Sequence, residues 1–180
     1  MGVAIPVPDP FGMELQNWRR EFGDPMADLI PAHITLVPPV ELDQSDRDAL
    51  GALLAKAADI VPPFQVRLRG TGTFRPVSPV VFVALTEGIS ACEQLSGAVR
   101  SGPLDIALQY PYHPHVTVAH HLDDTALDHA YQTLAGYDAT FDVTAFSLYE
   151  HGVDGYWRRI SDIPLTGRPD PATTRARPSR

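Results

Sequence analysis

The order of apolar and helical segments in the first half of this 180-residue chain recurs in the second. Residues 2–7 (GVAIPV) form a short apolar run. FGMELQNWRREFG then places Phe11, Leu15, Trp18 and Phe22 at helical spacing, with Gly23 as a stop. A turn-rich connector, DPMADLIP, leads into the β-rich AHITLVPPV, which Pro38-Pro39 ends. LDQSDRDALGALLAKAADI predicts a helix with Ser45 as N-cap and Leu50, Leu53, Leu54 and Ala57 on one face. FQVRLRGTGTF alternates Phe64, Val66 and Leu68 as a strand, with Arg67 and Arg69 toward solvent. The second half offers VVFVAL as a strand, GISACEQLSGAVRSG as a helix, YHPHVTVAHHL as a strand, DDTALDHAYQTLAG as a helix and ATFDVTAFSLYEHG as a strand. Aligning Val3-Ala4-Ile5 with Val83-Ala84-Leu85 brings a His-x-Thr about thirty residues after each. Two strand–helix–strand–helix–strand units therefore predict an α+β protein in which helices pack outside a sheet and both halves share one core.

Composition narrows the class. The formal net charge is −8, and the segment from Thr166 onward carries four arginines and one aspartate. Removing its +3 leaves −11 on residues 1–165, which argues against counterion-release binding of a long duplex but permits one phosphate in a local pocket of donors. Residues 166–180, rich in Arg and Pro without apolar periodicity, are expected to form a disordered tail. Cys92 is the only cysteine; it excludes an internal disulfide, fits a reducing cytoplasm and reads as a packed residue. No apolar run reaches a membrane span, the N-terminus lacks a signal-peptide pattern, and Pro6 stands where a myristoylation motif needs Ser or Thr. A cytoplasmic protein without a membrane partner is the expectation.

The chemistry lies in PAHITLVPP and HPHVTVAHH. Strand side chains alternate, so His33 and Thr35 share a face, as do His115 and Thr117, while Ile34, Leu36, Val116 and Val118 pack on the other. If the halves meet about a pseudo-twofold axis, the two imidazole–hydroxyl pairs converge on one cleft. Histidine titrates near neutrality, so one ring can act as base and the other as acid, with the threonine hydroxyls donating to phosphoryl oxygens. Cleaving a cyclic phosphate needs such a pair and no metal or cofactor. His113, His120 and His121 add to the local cluster. Without an accompanying cysteine, and with His120 and His121 expected on opposite faces, metal binding is the weaker reading.

The paired motifs His33-Ile34-Thr35-Leu36 and His115-Val116-Thr117-Val118 resemble those of the 2H phosphoesterase superfamily, in its 2′-5′ RNA ligase or RNA 2′,3′-cyclic phosphodiesterase branch. The resemblance covers roughly residues 2–165. It implies a bilobal duplicated fold, two pseudo-twofold-related antiparallel-sheet lobes with outer helices and a central cleft. The corresponding lobes are about 1–75 and 76–165 of a single domain, with strand exchange possible. It also implies His33 as proton donor, His115 as acceptor, and Thr35 and Thr117 as phosphate holders. The substrate class that follows is a 2′,3′-cyclic phosphate or 2′-5′ linkage, at an RNA 3′ end or in a small cyclic nucleotide, handled by a monomer. The first motif continues as Val37-Pro38-Pro39, where the RNA enzymes more often carry aromatic and glycine residues. With the acidic charge, that keeps a small nucleotide in competition with RNA. The alternative is a nucleotide-binding module of the same fold with little turnover.

Three further residues are candidates for gripping base and phosphate: Phe74 and Arg75 in GTGTFRP, and Tyr112 before the second motif. A hairpin with an exposed arginine is the competing reading for Phe74-Arg75. Tyr156, Trp157, Arg158 and Arg159 form another aromatic–basic group, in which Trp157 reads as core.

Overall fold

The computed structural model describes residues 1–168; of the expected tail, residues 169–180 lie outside the described residues. Among the described residues are thirteen short elements, in the expected alternation except for a 3-10 turn and a final strand that the sequence pattern did not predict. The strands are β1 (Gly2–Pro6), β2 (His33–Val37), β3 (Phe64–Thr73), β4 (Val80–Glu87), β5 (His115–His120), β6 (Asp138–Val143), β7 (Ala145–His151) and β8 (Trp157–Pro164). The α-helices are α1 (Phe11–Glu21), α2 (Gln44–Ala58), α3 (Ile89–Val99) and α4 (Asp124–Thr133), and one 3-10 turn spans Gly102–Leu104. The protein is α+β, with two antiparallel four-stranded sheets ordered β2-β1-β7-β8 and β5-β4-β3-β6.

The expected division near residue 75 does not follow the sheets. β3, which the repeat placed with the first half, pairs with β4 and β6, and the chain's last two strands return to pair beside β1. ATFDVTAFSLYEHG, expected as one strand, breaks at Thr144 so that β6 and β7 join different sheets. The alignment of the halves also shifts. Ala4 pairs with Thr35 and Pro6 with His33, whereas Phe82 pairs with Thr117 and Ala84 with His115. The structural partner of Val3-Ala4-Ile5 is therefore Val81-Phe82-Val83, two residues earlier than the hydrophobic match. An even offset keeps every side chain on its face, which is why the pattern could not detect it. Both pairings are irregular just past the threonine, between Val3 and Ala4 and between Val81 and Phe82.

Helices are traded as strands are. α1 packs beside β5 of the second sheet, and α3 packs beside β2 of the first, where the buried Ser96 hydroxyl donates to the Leu36 carbonyl at 2.9 Å. Ile34, Leu36, Val116 and Val118 are buried in one apolar core that draws on both sheets. Cys92 is buried in that core, and burial pushes its thiol up to about 12. The α2 cap is Asp43 rather than Ser45: Asp43 Oδ1 accepts from the Asp46 amide at 2.9 Å and from the Ser45 hydroxyl at 2.8 Å. Position 166, expected to begin the tail, is docked instead. The amides of Thr166 and Gly167 donate to the Ala58 carbonyl at 3.0 and 3.1 Å. Among the described residues no helix is long and apolar enough to cross a membrane.

Candidate active site

β2 and β5 are the edge strands of their sheets, and they approach each other. Each begins with a motif histidine. Period-two alternation buries Ile34, Leu36, Val116 and Val118 and leaves His33, Thr35, His115 and Thr117 half-buried on the other side. Both imidazoles are oriented by the same local device. Nδ1 of His33 lies 2.7 Å from the Pro31 carbonyl, and Nδ1 of His115 lies 2.7 Å from the His113 carbonyl. A carbonyl can only accept, so each Nδ1 carries its proton as donor, and each neutral ring presents an unprotonated Nε2. The Thr35 hydroxyl lies 3.0 Å from His33 Nε2 and donates to it while the ring is neutral.

The cleft has two ends joined at Thr35. His33, Thr35, Thr117 and His120 share a pocket of about 180 Å³ with Arg19 and Trp157. Beyond Thr35, His115, His113, Tyr112 and Tyr110 line a second pocket of about 220 Å³. Aromatic rings wall both histidines: Trp157 lies 4.6 Å from His33 between centroids, while Phe74 and Phe82 lie 4.9 and 5.1 Å from His115. Burial lowers the pKa of both. His33 falls to about 4, chiefly by desolvation, with the Arg19 guanidinium and His115 adding to the effect against the Pro31 hydrogen bond. His115 is lowered by desolvation and by His113. At neutral pH both rings are therefore neutral in the free cleft.

The other expected residues fare unequally. Phe74 stands edge-on to His115 but, like Arg75, lines neither of the two pockets. Arg75 is turned away from both pockets and paired with Asp124 at 3.3 Å and Asp128 at 2.6 Å on α4. Tyr112 is at the cleft, but its hydroxyl donates to the Thr35 carbonyl at 2.9 Å, so it ties the segment before β5 to β2. Trp157 is not core: it starts β8 and is half-buried between His33 and a larger groove of about 480 Å³. Arg158 pairs with Asp154 and lies over Tyr156. His120 and His121, expected on opposite faces, have their rings 3.8 Å apart, because His121 leaves the strand at φ 54°. No group of three His, Cys, Asp or Glu side chains among the described residues is arranged to hold a metal ion. The pattern missed Arg19, which sits on the buried side of α1 one residue after Trp18. Its i, i+4 relation to Leu15 was the available signal.

Two sheets that present a His-x-Thr pair on each of two facing edge strands define the cleft of a 2H phosphoesterase-type protein. Residues 7–155 match the model of the 2′-5′ RNA ligase superfamily, and the chain belongs to that family. It is 30% identical over 122 residues to a protein of Oceanobacillus iheyensis with a provisional phosphoesterase name, covering 68% of this chain and 71% of that one. A similarly named protein of Halalkalibacterium halodurans is 31% identical over 121 residues, covering 67% and 70%. Among solved structures, E. coli LigT in its apo form superposes with a TM-score of 0.66 at 25% identity, covering 92% of this chain and 96% of that one. LigT complexed with NADP+ gives 0.67 at 24%, with the same coverage, a likeness of fold alone.

Proposed function

We propose that this protein is a metal-independent phosphodiesterase that opens 2′,3′-cyclic phosphates, or cleaves 2′-5′ linkages, at RNA ends or in small nucleotides. The observation that carries the reading is the matched orientation of the two imidazoles, each Nδ1–H held by a backbone carbonyl two residues earlier and each Nε2 unprotonated, that of His33 meeting the Thr35 hydroxyl. In this scheme His115 Nε2 accepts a proton from water as its oxygen attacks phosphorus. His33, protonated at Nε2, gives that proton to the departing ribose oxygen. Thr35 and Thr117 donate hydrogen bonds to the non-bridging oxygens. Protonating one ring in so dry a cleft requires a compensating charge, which the anionic phosphodiester supplies on binding. E. coli LigT has been crystallised with 3′-AMP and with ATP. That supports a nucleotide as the ligand here.

The test is turnover of 2′,3′-cyclic AMP and of an oligoribonucleotide ending in a 2′,3′-cyclic phosphate, with EDTA present. His33→Ala and His115→Ala are each expected to lose about 10²- to 10⁴-fold in kcat while remaining folded. Turnover that survives in both variants would overturn the two-histidine scheme. Nucleotide binding without any turnover would instead make the protein a binding module.

A further inference from the structure

Arg19 is nearly as buried as the core, at 4% exposure, although it is a guanidinium on an amphipathic helix. Burying a charge is costly unless it is paired, and Arg19 is held on two sides. Its Nε donates to Asp24 Oδ2 at 3.0 Å, and its Nη1 donates to the Ile30 carbonyl at 2.6 Å. Asp24 is fixed in turn by the Met26 amide, which donates to Oδ1 at 2.9 Å. These contacts consume the back of the guanidinium fork. Nη2 has no protein partner among the described residues, and it is not sealed in the core either, since Arg19 lines the pocket that holds His33, Thr35 and Thr117. Asp24 does not line that pocket. Of the ion pair, Arg19 is the member that reaches the cleft.

We propose that Arg19 is a phosphate-binding residue of this cleft, its Nη2 edge donating to a non-bridging oxygen of the phosphodiester held between His33 and Thr117. The inference rests on the phosphodiesterase reading only for the identity of the substrate; the anion site itself follows from the geometry. A guanidinium fixed by two earlier contacts loses little freedom on binding, and its hydrogen bond to an anion is charge-assisted. Arg19 contributes to the depressed pKa of His33, behind desolvation, whereas His120 in the same pocket feels the Asp24 carboxylate ahead of Arg19. The opposite end, lined by Tyr110, Tyr112 and His113, has no arginine or lysine among the described residues. The phosphate accordingly lies toward α1. Neither His-x-Thr motif contains Arg19, so the two halves of the repeat are chemically unequal.

Inorganic phosphate is the probe, measured by calorimetry on the folded protein without turnover. Arg19→Met alone would strand a buried Asp24 carboxylate, so the informative variant is Arg19→Met with Asp24→Asn, alongside Arg19→Lys. Arg67→Met, which disturbs only the exposed pairs with Asp138 and Glu87, serves as the control. Phosphate affinity is expected to fall about 10- to 100-fold in the double variant, to be partly kept by Arg19→Lys, and to be unchanged in the control. The proposal is overturned if the wild-type protein binds no phosphate, or if a folded double variant binds it as tightly. Should phosphate binding depend on Arg19 while cyclic phosphates are not turned over, the anion site stands and the catalytic reading falls.

Discussion

The two motif histidines look interchangeable in sequence, but their surroundings differ. His33 packs against Trp157 and feels Arg19, whereas His115 packs against both Phe74 and Phe82, which also pack on each other, and feels His113. If His33 is the donor, its loss matters only where the leaving oxygen needs a proton. A phosphodiester with a nitrophenol leaving group departs as a stable anion, so His33→Ala should retain far more activity on it than on 2′,3′-cyclic AMP. His115→Ala should be equally impaired on both. The ratio of kcat/KM values on the two substrates reads this out, and the opposite pattern would exchange the roles. His33, Thr35, His115 and Thr117 were legible because alternation is local: a residue two positions along a strand shares its face whatever the rest of the chain does. Arg19 and Trp157 were not. The burial of Arg19 depends on Asp24 and on the Ile30 carbonyl closing around it, and Trp157 meets His33 only because β8 joins the first sheet. Arg75 looked like a phosphate ligand because nothing in GTGTFRP announces Asp124 and Asp128 some fifty residues later.

At the scale of elements, the alternation of strands and helices could be read from periodicity, but their pairing could not. β6 and β7 are nearly continuous in sequence, yet Thr144 separates strands of different sheets, and the only local trace is a change of phase from Ala139, Phe141 and Val143 to Phe146 and Leu148. Caps are a similar case. Asp43 and Ser45 are both good N-cap types two residues apart, and either would start an acceptable helix from sequence alone. The structure gives the role to Asp43, with Ser45 merely donating to its carboxylate. Asp43→Ala should therefore lower stability clearly more than Ser45→Ala does. Urea denaturation of the two variants measures the difference. Equal costs, or a larger one for Ser45→Ala, would place the cap where the sequence pattern put it.

For the whole molecule, exchange of β3 against β7 and β8 means that neither half of the repeat closes a sheet alone, and the cleft exists only where the two edge strands meet. Building a reactive cleft at that seam costs stability in a definite pH window. Desolvation lowers the pKa values of His33, His115 and His120, His33 to about 4. The unfolded chain therefore takes up protons on these residues below its ordinary histidine value of about 6.5, while the folded protein resists doing so until lower pH. Where the unfolded state binds more protons, stability rises with pH, so this part is complete above about pH 7 and is lost as pH falls toward 4. The slope is at most about 1.4 kcal/mol per pH unit for each group, and less where the cleft leaves a ring partly in water. The carboxylates with lowered values, Asp43, Asp138 and Asp154, act in a separate window, since their contribution is lost only as pH falls below about 4. The thermal midpoint should accordingly drop between pH 7.5 and pH 5, and a His33→Asn, His115→Asn double variant should drop less. Added phosphate should recover part of the loss, because an anion in the cleft favours the protonated rings. A midpoint that stays flat from pH 7.5 to pH 5 in the wild-type protein would mean that these histidines are not held neutral by the fold.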